Sequence, residues 1–376
     1  MRYNKTPSGR LLAGGSVVVA MALLSLGVSI AGAAPGTRGS QTANAMAATA
    51  QALRAPTRIG LRTELRAVPP KGKTIVFLEC SDIPQCAEFL PGVQKGAAAL
   101  GWKVKVLSFT TANPSSLISA MQQALQYKPV AVSMSGMSES IWGSEVPAYK
   151  KAGVAIIPMV AGPISVNPTV PVGLMTPGDE MAAGRIIGNW FIQDSQAAGH
   201  ALMVDVPTFA VLKEYTDGVV SQIKSHCTMC VVTSMDASLS EVGSNGVVPA
   251  VVAAIQANPS IKYVLFSDGA FDTGLTAALK TIGRTDVKIA GGSPSIQDEQ
   301  ALITGQESAW TGQAYSYIGW MFVDAAARLV EKLPIPVGDG GVPQQLLMAS
   351  NVGKPSNDLI EPSNYPSLFK KLWRVK

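Results

Sequence analysis

From Thr74 to Ser293 the chain repeats one unit, a short unbroken apolar run followed by a helical segment. The first series of runs is "TIVFLEC" (74–80), "KVKVLSF" (103–109), "VAVSMSG" (130–136) and "VAIIPMV" (154–160). The second is "ALMVDVP" (201–207), "CVVTSMD" (230–236), "KYVLFSD" (262–268) and "VKIAGGS" (287–293). Between them lie helical stretches such as "EFLPGVQKGAAALG" (88–101), "PSSLISAMQQALQY" (114–127) and "DEMAAGRIIGNWFIQDSQAAG" (179–199). Strands that are apolar throughout, rather than alternating, are buried on both faces, as in parallel sheets covered by helices. Parallel strands need right-handed crossovers, so each series predicts a doubly wound α/β sheet. Two series predict two Rossmann-like lobes joined by a hinge. Ligands of such sheets bind at the carboxyl ends of the strands.

A length of 376 residues suits two units of this kind. The first residues read as a targeting segment. Arg2, Lys5 and Arg10 precede the uncharged stretch Leu11–Ile30, and "AGAAPG" (31–36) offers small residues for cleavage after Ala33. The apolar stretch is also long enough for a retained membrane anchor, so cleavage and anchoring both stand. The net charge of +5 falls to +2 without the three basic residues of 1–33, which argues against nucleic acid as a partner. Residues 34–70 read as a flexible lead-in; Arg54, Arg58, Arg62 and Arg66 recur every fourth residue, but Pro56 and Gly60 oppose a helix and favour a solvated tail.

Export places the four cysteines in a disulfide-permissive setting. Three pairings exist; local pairing of Cys80 with Cys86 and of Cys227 with Cys230 is the simplest. The CxxC spacing of "CTMC" also occurs in zinc and redox sites, but a second CxxC is missing and His200 and His226 are the only histidines. No metal and no cofactor is expected. Enzyme signatures are missing too: "KGKT" (71–74) lacks the upstream glycine of a phosphate loop, and neither GxSxG nor HExxH occurs.

The order of elements, with five local patterns, resembles the type I periplasmic solute-binding proteins, in particular their ribose- and galactose-binding branch. "FLPGVQKGAAALGWKVKV" is similar to that branch's first helix and second strand, and "GDEMAAGRIIGNWF" to its helix after the lobe crossover. "YVLFSDGAFDTGLTAALKTIG" resembles the segment where an Asn-Asp pair opens a helix; "VKIAGGSPS" and "ITGQESAWTGQAYSYIGW" resemble the last strand ends. The resemblance spans Lys73 to Leu347 and implies hinge closure on a small solute and delivery to an ABC permease by a monomeric protein in the periplasm or outside the cell. A sensory module reporting to a membrane receptor or histidine kinase is the other reading. The implied boundaries are 1–33 signal peptide, 34–70 lead-in, 71–172 with 314–341 the first lobe, and 173–313 with 342–376 the second.

Most sugar-clamping positions of the branch are changed here. Its Asp-Arg pair falls on Val160 and Ala161, an Arg near Tyr215, an Asp on Ser293 and an Asn on Asp268; only Gln313 keeps its identity. A hydroxyl buried without a partner costs about 1–3 kcal/mol, so a common aldose would be poorly held. The same strand ends carry Met134, Met137, Trp142, Met159, Phe209, Phe271 and Trp310, which suit a less polar solute or simply a core. Glu79, Asp268 and Gln313 are candidate polar anchors. The loop "CSDIPQC" meets the ligand in this family, which adds Asp82 and Gln85 and gives its disulfide either a preorganising or a purely stabilising role. Trp190 reads as core and Asp272 as a solvated helix residue. The residues leave an unusual sugar, an aromatic, a terpenoid-like and a cationic solute all open.

Overall fold

The computed structural model describes residues 36–376, except 161, 337–340, 357 and 360. The expected signal peptide (1–33) and the clamp position Ala161 lie outside the described residues.

Two sheets carry the fold. The first has the order β2-β1-β3-β4, with β1 Thr74–Cys80, β2 Lys103–Phe109, β3 Ala131–Met134 and β4 Ala155–Ile156, all parallel. The second has the order β10-β9-β8-β7-β5-β6, with β5 His200–Asp205, β6 Val231–Asp236, β7 Tyr263–Phe266, β8 Lys288–Gly292, β9 Ala309–Gln313 and β10 Gln344–Leu347. Only β10 runs antiparallel to its neighbour. The unbroken apolar runs are explained directly. On β1, Ile75 and Phe77 enter one core while Val76 and Leu78 enter the core on the opposite face. On β7, Val264 and Phe266 point one way and Tyr263 and Leu265 the other. The edge strands β2 and β6 mix polar and apolar residues and are less buried by comparison.

The helix Pro177–Asp194 opens the second lobe. Asp179 accepts hydrogen bonds from the backbone N–H (2.7 Å) and hydroxyl (2.8 Å) of Thr176, which fixes its first turn. It crosses the helix Ala210–His226 at glycine contacts. A Cβ at Gly184 would overlap the carbonyl oxygen of Tyr215, and one at Gly218 that of Met181. Both opponents are backbone atoms, so neither can swing aside. Gly184→Ala should therefore destabilise by about 1–3 kcal/mol, the usual cost of overpacking, seen as a lower denaturant midpoint. An unchanged midpoint would mean that the two helices are not held this closely.

Two expectations are corrected. Within the expected lead-in 34–70, the described residues from 36 on are not a flexible tail: Arg38–Ala52 is a helix, capped by Thr37, that packs on Pro177–Asp194 and buries Gln41, Ala45 and Thr49. Small Ala and Thr side chains allow that close approach. Beyond it, Leu61 and Leu65 enter the core of the first lobe, and the Leu65 N–H bonds to the Leu372 carbonyl (2.8 Å). The four arginines do remain exposed. Likewise, 342–376 does not all belong to the second lobe. β10 does, but the helix Tyr365–Leu372 returns to the first, where Tyr365, Phe369 and Trp373 pack around Tyr317 and Trp320. Its aromatic residues have a matching apolar surface only there.

Both local cysteine pairs are bridged, with Cα separations of 5.6 Å for Cys80–Cys86 and 5.4 Å for Cys227–Cys230.

Candidate functional site

The carboxyl ends of both sheets face a cavity of about 780 Å³. The first lobe contributes the bridged loop after β1 (Asp82, Ile83, Gln85), Thr111 and Ala112 after β2, Ser135–Met137 after β3, and Val160 after β4. The second contributes Phe209 and Leu212 after β5, Leu239 and Val242 after β6, Asp268, Ala270 and Phe271 after β7, Ser293 after β8 and Gln313 from β9. Phe89 and Tyr315, at the starts of two helices, close the floor with their rings 5.0 Å apart, edge to face.

Of the expected residues, Asp82, Gln85, Met137, Val160, Phe209, Asp268, Phe271, Ser293 and Gln313 line this cavity. Three do not. Glu79 lies within β1, paired with Ser108, and is not a lining residue. Trp142 is fully buried in the first-lobe core, its indole N–H bonded to the Met137 carbonyl (2.9 Å). Tyr215 is buried in the second-lobe core against Gly292. For Trp142 and Tyr215 the apolar demand of the adjacent core decides the side chain's direction. Met134, Met159 and Trp310 are core residues as well, and Trp190 is core as expected.

Val160 and Ser293, two of the altered clamp positions, both hold left-handed backbone, at φ +47° and +52°. For a β-branched residue such as Val160 this conformation is costly, of order 1–3 kcal/mol, and strain of this kind gathers at ligand sites.

Glu180 was not anticipated. It sits in the first turn of Pro177–Asp194, almost wholly buried, with Gln313 Nε2 donating to its Oε2 at 3.4 Å. Burial pushes its carboxyl up to about 8, against the Gln313 hydrogen bond and with help from the charges of Asp179 and Asp268. The sequence signal was slight: a second acid directly after the capping Asp179. Asp268 faces the cavity from the end of β7. Its Oδ1 accepts from the Ala270 N–H (2.8 Å) and, across the lobes, from Gln85 Nε2 (3.2 Å). Burial raises its carboxyl to about 7, and the charge of Asp298 adds to the rise. Asp82 is different: the backbone N–H groups of Thr111 and Ala112 and the Thr111 hydroxyl all donate to it, and despite partial burial they hold its carboxyl below the usual range.

Behind β7–β9 lie three more acids, Asp272, Asp298 and Glu307, all buried, with oxygens within 4.8 Å of one another. Asp272 is thus not solvated; the turn after Gly269–Phe271 turns it inward. Asp298 accepts from the Ser295 N–H (2.6 Å) and Glu307 from the Trp310 indole (2.7 Å), while Asp272 Oδ2 has no partner. Burial first, then mutual repulsion, raises Glu307 to about 8 and Asp272 well above the usual range.

A two-lobed α/β protein with a cavity between strand ends is a solute-binding architecture, and the sequence comparison agrees. Residues 75–333 match the family described as periplasmic binding protein domain, and the chain belongs to that family. Among solved structures it is similar to the sugar ABC transporter sugar-binding protein of Bacillus halodurans, with TM-score 0.67, 15% identity, and coverage of 76% of this chain and 100% of the other. The glucose-galactose binding protein GanP of Geobacillus stearothermophilus gives 0.64, 15%, 75% and 99%. The XylFII–LytSN complex gives 0.64, 17%, 75% and 100%. At such identities the likeness speaks for the fold alone. No match was found among curated protein sequences. Among the described residues, no helix is long and apolar enough to cross a membrane.

Proposed function

We propose that this protein captures a small organic solute with substantial apolar surface between its lobes and delivers it to an ABC importer. The observation carrying this reading is the cavity of about 780 Å³ lined from both lobes and spanned by the Gln85–Asp268 hydrogen bond. A site built from two bodies is completed only when they close, the hinge motion by which such proteins signal occupancy. The reading is of a binding protein, not an enzyme, exported by the leader 1–33. The division into lobes that move about the crossover segments belongs to the same proposal. Aldoses are disfavoured, because Val160 and Ser293 stand at the cavity where the charged clamp would be.

Native mass spectrometry of gently purified protein should reveal a retained solute, and small-angle scattering should report a smaller radius of gyration with that solute bound. Gln313→Ala should weaken it about tenfold, the loss of one charge-linked hydrogen bond. An unchanged scattering profile at saturation would overturn hinge closure. A second reading, a sensory module, has support from the XylFII–LytSN complex, in which this fold is found with another protein.

A further inference from the structure

The polar end of the cavity is one-sided. Among the described residues no Lys, Arg or His lines it, whereas Asp82, Glu180 and Asp268 do. Asp82 is already committed to Thr111 and Ala112. Glu180 and Asp268 are not: Oε1 of Glu180 and Oδ2 of Asp268 take no hydrogen bond from the protein, whose bonds to these groups go to Oε2 and Oδ1. The two amide side chains nearest them are partly spent on these same carboxyls: Nε2 of Gln313 donates one N–H to Glu180 and Nε2 of Gln85 one to Asp268, which leaves each a single further N–H. Their Oε1 atoms are enclosed without partners. Glu180 and Asp268 thus bring two ionisable acceptors to a lining whose other polar groups are neutral hydroxyls and amides, apart from the committed Asp82.

Resting on the reading that the cleft captures a solute, we infer that this solute carries a cationic amine on an apolar body, its ammonium group directed at Glu180 and Asp268. An ammonium offers donors and no acceptor, the complement of this lining. A polyol hydroxyl both donates and accepts, and an anionic solute meets only like charge. Phe89, Phe209, Phe271 and Tyr315 surround the same space, and aromatic faces attract desolvated cations. Ile83, Met137 and Leu212 provide for the rest of the molecule. Crowding of the two carboxyls is relieved by protons, held on Glu180 up to about pH 8 and on Asp268 up to about pH 7. An arriving cation favours the ionised forms, so amine binding releases protons into the buffer.

The test is calorimetric titration of the mature protein at pH 7.5 with phenethylamine, tryptamine and benzyltrimethylammonium, each beside its matched neutral alcohol, and with glucose, ribose and 3-phenylpropionate. Two buffers of different ionisation enthalpy report proton release, and scattering reports closure. At least one amine should bind ten or more times tighter than its alcohol and release protons. Asp268→Asn and Glu180→Gln should each lower the amine-to-alcohol affinity ratio by most of its value and reduce the proton release. If an alcohol or aldose binds as tightly as the amines and closes the lobes, the cation is overturned and solute capture stands. If no compound of any class binds, the result counts against solute capture and against the inference with it. The amine-to-alcohol ratio is read on the unmodified protein, so poor folding of a variant does not shield the inference.

Discussion

Thermal unfolding of the ligand-free protein should show a midpoint that falls as pH rises from 5 to 8.5. Burial raises Glu180 and Glu307 to about 8, Asp268 and Glu299 to about 7, and Asp298 and Asp358 to about 6. In the unfolded chain the same groups titrate near 4. Between these values the folded protein holds more protons than the unfolded one, so raising pH favours unfolding. The stabilisation is complete below the unfolded values and is lost as pH climbs through 6 to 8. Burial holds His200 below its usual value, which works in the opposite direction only below about pH 6.5, and it is a single group. A loss of about 2 kcal/mol would lower the midpoint by roughly 4–8 °C for domains of this size. Replacing Asp272, the member of the acid cluster without a partner at Oδ2, by Asn should raise the midpoint at pH 8.5 and flatten the slope. A midpoint that rises toward pH 8.5 would show that these carboxyls are ionised at no cost, and that the cluster is neutralised by something other than protons.

The architecture was legible because burial on both sheet faces writes itself as unbroken apolar runs, and because each run ends in a turn at the cavity. The lining residues at those ends, such as Phe209, Asp268 and Ser293, followed from that rule and the family likeness together. What escaped reading depended on contacts between distant segments. Glu180 looks like any first-turn acid until the Pro177–Asp194 helix is placed with Gln313 beside it. Tyr215 and Trp142 stand at plausible positions along the chain, but their side chains turn into the two cores. Asp272 reads as surface in a helical pattern, and only the approach of Asp298 and Glu307, separated in sequence but joined by β8 and β9, makes it buried. The lead-in was misread because Ala and Thr carry little apolar signal of their own. Helix Arg38–Ala52 has a binding face only because Pro177–Asp194 offers one.

Asp324→Ala should cost about 3–5 kcal/mol, measured as a loss of denaturant stability at neutral pH. Asp324 and Arg328, four residues apart on the helix Tyr315–Val330, are each 1% exposed. Arg328 Nε donates to Asp324 Oδ2 at 2.6 Å, and its terminal nitrogen reaches both Asp324 Oδ1 (3.3 Å) and the Thr63 carbonyl (2.6 Å). The Trp373 indole donates to Asp324 Oδ1 at 2.8 Å. One ion pair thus ties the segment before β1 and the C-terminal helix to the core of the first lobe. Removing the carboxylate strands a guanidinium in an apolar interior and leaves the Trp373 N–H without its acceptor. Added salt should not reproduce the effect, because screening does not reach a pair this enclosed. The double variant Asp324→Ala/Arg328→Met should recover much of the loss, since apolar replacement removes the stranded charge as well as the pair. Limited proteolysis should separate local from global damage: in Asp324→Ala, cleavage should appear first near Thr63 and Trp373, where the anchors were, while β5–β9 stay protected. A single variant costing under about 1 kcal/mol, with no new cleavage at either end, would mean that the packing of Tyr317, Trp320, Tyr365 and Phe369 holds both termini without help from the charge pair.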